Sequence, residues 1–166
     1  MWKTKESDKV LWIDYNEELD TPPDMVLDCT DTKLEAGRFH TIFFDPPHSY
    51  GHTKNTGVHQ TPSRKTQKKK WGNTGSYYGF DCYKNKNELL EFIGLAQLEF
   101  QRILSDDGLL WFKWGEVRIP ADEVMQLFPN WDIMMRFEVA YRGKLSGNRC
   151  FWYALSKNSN MRQSSF

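Results

Sequence analysis

The sequence predicts an α/β fold: a mostly parallel sheet, one long helix packed on it and a C-terminal antiparallel hairpin. Three observations carry this. Short apolar runs at residues 9–14, 25–28 and 40–45 each end in an acid. One strong helical period, at residues 87–104, leads into another apolar run at 109–114. Two further strand-like runs, Trp131 to Tyr141 and Arg149 to Ser156, flank a connection carrying Gly143 and Gly147. Strand, helix and strand in succession make a βαβ unit, which is parallel and right-handed. Two runs joined by a short glycine-bearing turn read as a hairpin.

A chain of 166 residues is one domain with room for a core. Residues 1–157 read as that domain, with a long loop at 49–80, and residues 158–166 as a polar tail. The 15% aromatic content excludes a disordered chain. The formal net charge is zero, so attraction to nucleic acid has to come from a local patch. Cys29, Cys82 and Cys150 are widely spaced, odd in number and without zinc-ligand spacing. That argues against a disulfide framework and for a reducing, cytoplasmic setting. With no apolar run of about 18 residues, no membrane span or signal peptide is expected.

The first strand, Lys9 to Asp14, and the second, Met25 to Asp28, are separated by a polar stretch with Pro22-Pro23. Thr30 to Arg38 connects to the third strand. That strand, Thr41-Ile42-Phe43-Phe44, is an unbroken apolar or β-branched run, which reads as buried on both faces. Asp45, Pro46, Pro47 and His48 follow at its carboxyl end. The prolines fix φ and lack an N–H, so they make a stiff corner. Ligands of open α/β sheets bind outside the carboxyl ends of the strands. Asp14, Asp28 and Asp45 are therefore expected to share a ligand edge. The plain structural alternative for each is an aspartate capping a turn.

Between Asp45 and Asp81 there is no acid, while Lys54, Arg64, Lys65, Lys68, Lys69 and Lys70 are basic. Trp71, Tyr77, Tyr78 and Phe80 follow directly. Lysines suit phosphate contact and aromatics suit base stacking. Arg64, Lys65, Lys68, Lys69, Lys70 and Trp71 are the candidate nucleic-acid contacts. A solvated lysine run is the bland alternative. In the helix, Leu89, Ile93, Ala96, Phe100 and Ile103 recur three and four apart. Asn85 or Asn87 can cap it, with Glu88 in the first turn. A short helix over about 120–128 begins with Pro120 in its first turn.

The order of parts resembles the class I S-adenosylmethionine-dependent methyltransferases, whose sheet ends in parallel strands, a helix and a terminal antiparallel hairpin. Asp45-Pro46-Pro47-His48 resembles the Pro-Pro-aromatic motif of enzymes that methylate amino groups of nucleic-acid bases. Histidine replaces the usual Tyr, Phe or Trp. Pro23 to Asp28 and Phe112-Lys113-Trp114 resemble the pieces flanking this motif in small methyltransferase-like proteins, many of them from phages. The resemblance covers about residues 9–156 and implies a truncated Rossmann-like methyltransferase fold. It also implies S-adenosylmethionine as cofactor, held by Asp14 through ribose hydroxyls and by Asp28 through the adenine amine, with Cys29 adjacent. Asp45 and the Pro46 carbonyl would hold the target amine, Pro47 would stiffen the turn and His48 would stack on the base. No metal is implied.

The Gly-rich turn of that family has no counterpart before Lys9 or elsewhere. Two expectations follow. The first is methyl transfer to an exocyclic amine, foremost adenine N6 in DNA, in the cytoplasm of a bacterial or phage-infected cell. The second is a catalytically degenerate fold that binds a protein or nucleic acid. A second copy or a partner chain could pair with the edge left by the missing first strand. Methylation of a cytosine carbon is disfavoured because it calls for a cysteine after the proline.

Overall fold

The computed structural model describes residues 8–16, 22–51, 83–139 and 149–158. Strands β1 (Ile13–Asp14) and β2 (Met25–Val26) form a small parallel pair. Strand β3 (Phe39–Phe44), helix α1 (Lys86–Ile103) and strand β4 (Leu104–Gly115) form the βαβ unit. Helix α2 (Ala121–Met125) and strands β5 (Trp131–Glu138) and β6 (Cys150–Lys157) complete the order. The larger sheet has strand order β3-β4-β6-β5.

This sheet is mixed rather than mostly parallel. β3–β4 is parallel, whereas β4–β6 and β5–β6 are antiparallel. The terminal hairpin joins through its second strand: β6 inserts between β4 and β5, so both of its pairings run antiparallel. The connection at residues 140–148 and the tail from residue 159 lie outside the described residues.

α1 forms where the periodicity placed it. Its N-cap is Asn85, whose Oδ1 accepts from Glu88 N at 3.0 Å. Glu88 accepts in return from the Asn85 side-chain amide and from Lys84 N, which ties the residues before the helix to its first turn. The stripe Leu89, Ile93, Ala96, Phe100 and Ile103 is buried against one sheet face. There it meets Phe44, whose ring lies 4.8 Å from Phe100, and Phe112, Tyr153 and Leu155 beyond. Burying each such large side chain contributes about 1.5–3 kcal/mol. Trp131 joins the same core, donating Nε1–H to Gln97 Oε1 at 2.7 Å. Among the described residues no helix is long and apolar enough to cross a membrane.

Gly108 marks an irregularity in β4. The partner of Phe39 is Leu104, but the partner of Thr41 is Leu109, so the chain bulges between them. A Cβ at residue 108 would lie 2.7 Å from Leu104 Cγ and 3.0 Å from the His40 carbonyl oxygen, so no side chain fits there.

Two expectations are corrected. Thr41 to Phe44 is not buried on both faces: Phe44 is buried but Phe43 is 57% exposed. Helix α1 covers the face that carries Phe44 and Phe43 lies on the other, and an apolar run does not by itself tell whether both faces are covered. The three strand-end aspartates also do not terminate one sheet. β1 and β2 pair with each other, and no described pairing joins them to β3.

Candidate functional site around Asp45

Asp45 stands one residue past β3, where Pro46 and Pro47 end the strand. Side chains alternate along a strand, so Asp45 shares a face with Phe43 while Phe44 faces the core. On the neighbouring strand Lys113 stands beside it, between Phe112, which is buried, and Trp114, which is buried. The Lys113 ammonium donates to Asp45 Oδ2 at 2.7 Å. From the other side, His48 Nε2 lies 3.2 Å from Asp45 Oδ1.

The rest of the corner holds this arrangement. The His48 ring sits edge-on to Trp114, with centroids 5.2 Å apart, and its side chain is 18% exposed. Trp114 is itself fixed by a 3.0 Å bond from Nε1 to the Ile119 carbonyl. His48 Nε2 faces Asp45, and Nδ1 is buried with no hydrogen-bond partner among the described residues. His48 is thus an orienter of the carboxylate more than an open stacking ring.

Two opposing effects act on the Asp45 carboxyl. Burial pushes its pKa up, while the hydrogen bond and charge of His48, and then those of Lys113, pull it down and prevail. The carboxylate is therefore held ionised below the usual range. At 39% side-chain exposure it remains within reach of a ligand.

Asp14, Asp28 and Cys29 form a second group. Asp28 Oδ1 accepts from Thr30 N at 2.8 Å and Thr30 Oγ1 at 2.7 Å. Asp14 Oδ1 accepts from Asn16 N at 2.9 Å. Both are the local caps that short aspartate turns make, and Oδ2 of Asp28 keeps its acceptor capacity. Asp28 lines an open cleft of about 340 Å³ with Thr30, Tyr83, Glu88, Glu91, Phe92 and Leu95. Burial, with the negative charge of Asp28 behind it, pushes the Cys29 thiol up to about 12. That thiol stays protonated and is no nucleophile. No direct hydrogen bond or ion pair links Asp14 or Asp28 to Asp45, His48 or Lys113.

The candidate contacts Arg64, Lys65, Lys68, Lys69, Lys70 and Trp71 lie outside the described residues. Among the described residues, Gly51 N donates to Tyr83 O at 2.8 Å. Sequence reasoning missed Lys113 as a site residue. The available signal was a lone cation inside the apolar run Leu109-Leu110-Trp111-Phe112-Lys113-Trp114. It also did not foresee the aromatic face that Phe43, Trp111 and Trp152 make beside Asp45. Phe43 lies stacked on Trp111 with centroids 6.2 Å apart and edge-on to Trp152 at 6.3 Å. The chain matches no model of a known protein family, and no curated protein is detectably similar to it.

Proposed function

We propose that this protein transfers a methyl group from S-adenosylmethionine to an exocyclic amine of a nucleic-acid base, foremost adenine N6 in DNA, on a truncated Rossmann-like methyltransferase fold. The observation that carries the reading is the Asp45 carboxylate. It stands ionised and accessible at the carboxyl end of β3, on a corner stiffened by Pro46 and Pro47.

The chemistry asks for such a group. The lone pair of an exocyclic amine is delocalised into its ring, so the nitrogen is a poor nucleophile. Asp45 accepts one amine hydrogen and the Pro46 carbonyl accepts the other. This draws the nitrogen toward a tetrahedral shape and localises the pair. The two prolines keep the acceptors in place, and His48 holds Asp45 in rotamer. The cofactor would give its methyl to the amine and leave as a neutral thioether, and Asp45 or water would take the proton that the amine loses.

The cofactor supplies an electrophilic methyl on a sulfonium. Its adenosine part is rich in donors and its sulfonium is cationic. The cleft at Asp28 suits that chemistry, with carboxylates at Asp28, Glu88 and Glu91 and aromatic walls at Tyr83 and Phe92. Asp28 would take the adenine amine on its open Oδ2, and Asp14 the ribose hydroxyls. Calorimetry with S-adenosylhomocysteine tests this. Micromolar binding that Asp28→Ala weakens about tenfold supports the reading. Absence of binding favours the second reading, a catalytically degenerate fold that binds a partner. One feature supports that second reading too: both Asp45 oxygens already have partners within the chain.

A further inference from the structure

Strand β5 is an outer strand of the four-stranded sheet, bonded on one side to β6. Every residue of it after Trp131 is exposed, the apolar Met135 and Phe137 included. A bulge between Ile133 and Met135 interrupts its ladder, and beyond it the register with β6 is regular. Val139 N donates to the Cys150 carbonyl at 2.8 Å. Alternate residues of an antiparallel strand bond to one neighbour, so residues 135, 137 and 139 turn their backbone groups toward β6. Arg136 and Glu138 turn theirs outward. These two side chains are opposite in charge and two positions apart. The Arg136 guanidinium lies 4.7 Å from the Phe151 ring centroid and makes no ion pair among the described residues. Glu138 accepts from Arg149 at 3.0 Å and keeps acceptor capacity on its other oxygen.

We propose that β5 pairs with β5 of a second copy of this chain, antiparallel about a two-fold axis at Phe137, so that the two four-stranded sheets become one. In that register Arg136 stands opposite Glu138 of the second copy, and Glu138 opposite its Arg136. These are the residues whose backbone groups turn outward, so they exchange N–H and C=O bonds as well as charge. Phe137 meets its own copy across the axis, on the sheet face where it already lies against Trp111. Met135 meets Val139 on the same face. Such cross-strand aromatic, apolar and opposite-charge pairs are what stabilise a sheet. Other registers fail. A one-residue slip sets opposite faces against each other. Centring on Arg136 or on Glu138 sets like charges opposite each other. Charged residues commonly blunt an edge against further pairing. Here their order makes the edge complementary to itself, which a two-fold contact requires. The inference concerns assembly and does not rest on the methyl-transfer reading.

The test is sedimentation velocity of the full chain over a range of concentrations. The chain should shift to twice its monomer mass in the micromolar range. Arg136→Glu and Glu138→Arg each set like charges against each other on both sides of the axis, and each should weaken association by at least about tenfold. In an equimolar mixture of the two variants every reversed charge faces an opposite one, so a mixed dimer should form where neither variant alone dimerises. Urea unfolding checks that each variant folds. Should either fail, Phe137→Cys decides. Residues facing each other at a non-hydrogen-bonded position stand close enough for a disulfide, so mild oxidation should link that variant into a dimer while the unaltered chain stays unlinked. A chain that remains monomeric at high micromolar concentration overturns the inference. So does a dimer that neither charge reversal weakens, a mixture of folded variants that stays monomeric, or a Phe137→Cys chain that does not cross-link.

Discussion

The Lys113 ammonium and the Asp45 carboxylate, 68 positions apart in the chain, meet at 2.7 Å where β3 and β4 lie side by side. This bond and that from His48 hold the Asp45 pKa low against the upward push of burial. Lys113→Met should therefore raise it, which a carboxyl-carbon NMR titration would read. Because the folded pKa lies below the unfolded one, ionised Asp45 stabilises the fold above the usual carboxylate range. That contribution is lost as pH falls through the folded value. In the variant the loss should begin at higher pH; an unchanged titration would mean that the pair is too weak to matter.

Glu99 makes a second prediction. It lies 8% exposed on α1 and accepts from Arg102 Nε at 2.8 Å and Nη2 at 2.7 Å. It also accepts from Thr32 N at 2.9 Å and from the Thr32 hydroxyl, tying the strand connection to the helix. Chiefly through Arg102, and despite burial, its pKa falls from 4.5 to about 2. Its stabilisation is full above the unfolded value and is lost as pH falls toward the folded one. Glu99→Gln should cost about 1–3 kcal/mol at neutral pH in urea unfolding. It should also flatten the acid limb of stability against pH.

Gly115 is the floor under His48. A Cβ there would lie 3.1 Å from His48 Cδ2, so Gly115→Ala has to shift the ring by a few tenths of an ångström. The expected result is a change in the His48 ring resonances against Trp114 and about a tenfold fall in methyl transfer, since small misplacements near a reacting group are costly. Unfolding should change little. Equal transfer by the variant would remove His48 from the positioning of Asp45.

Cys29 should resist alkylation. With its thiol pushed up to about 12, it should react with iodoacetamide at mildly alkaline pH at least about tenfold more slowly than an unburied peptide cysteine. Peptide mapping by mass spectrometry reads this directly, and fast labelling of Cys29 in the folded chain would contradict its burial beside Asp28.

Much of the fold was legible because it rests on local chemistry. The α1 stripe and the Asn85–Glu88 cap are read within a few residues, and the helix begins and ends within one residue of the expected span. What was not legible depends on distant neighbours. Ile13–Asp14 and Met25–Val26 are shorter than the apolar runs that contain them, because only those residues find ladder partners. The exposure of Phe43 follows from its lying on the sheet face opposite α1, a property of layer packing and not of the run itself. Asp45 and His48 stood out as a motif three residues apart, and the structure pairs them. Lys113 reached the site only through the parallel register of β3 and β4, which no spacing in the chain encodes.

The central claim is that Asp45 holds an amine for methylation. The most direct measurement is transfer of a labelled methyl from S-adenosylmethionine to single-stranded DNA, with product nucleosides separated and Asp45→Ala run alongside. The account predicts label on adenine N6 or cytosine N4, falling by at least about a hundredfold in the variant. Labelling that Asp45→Ala leaves unchanged, or no labelling by a chain that binds both cofactor and DNA, would contradict it.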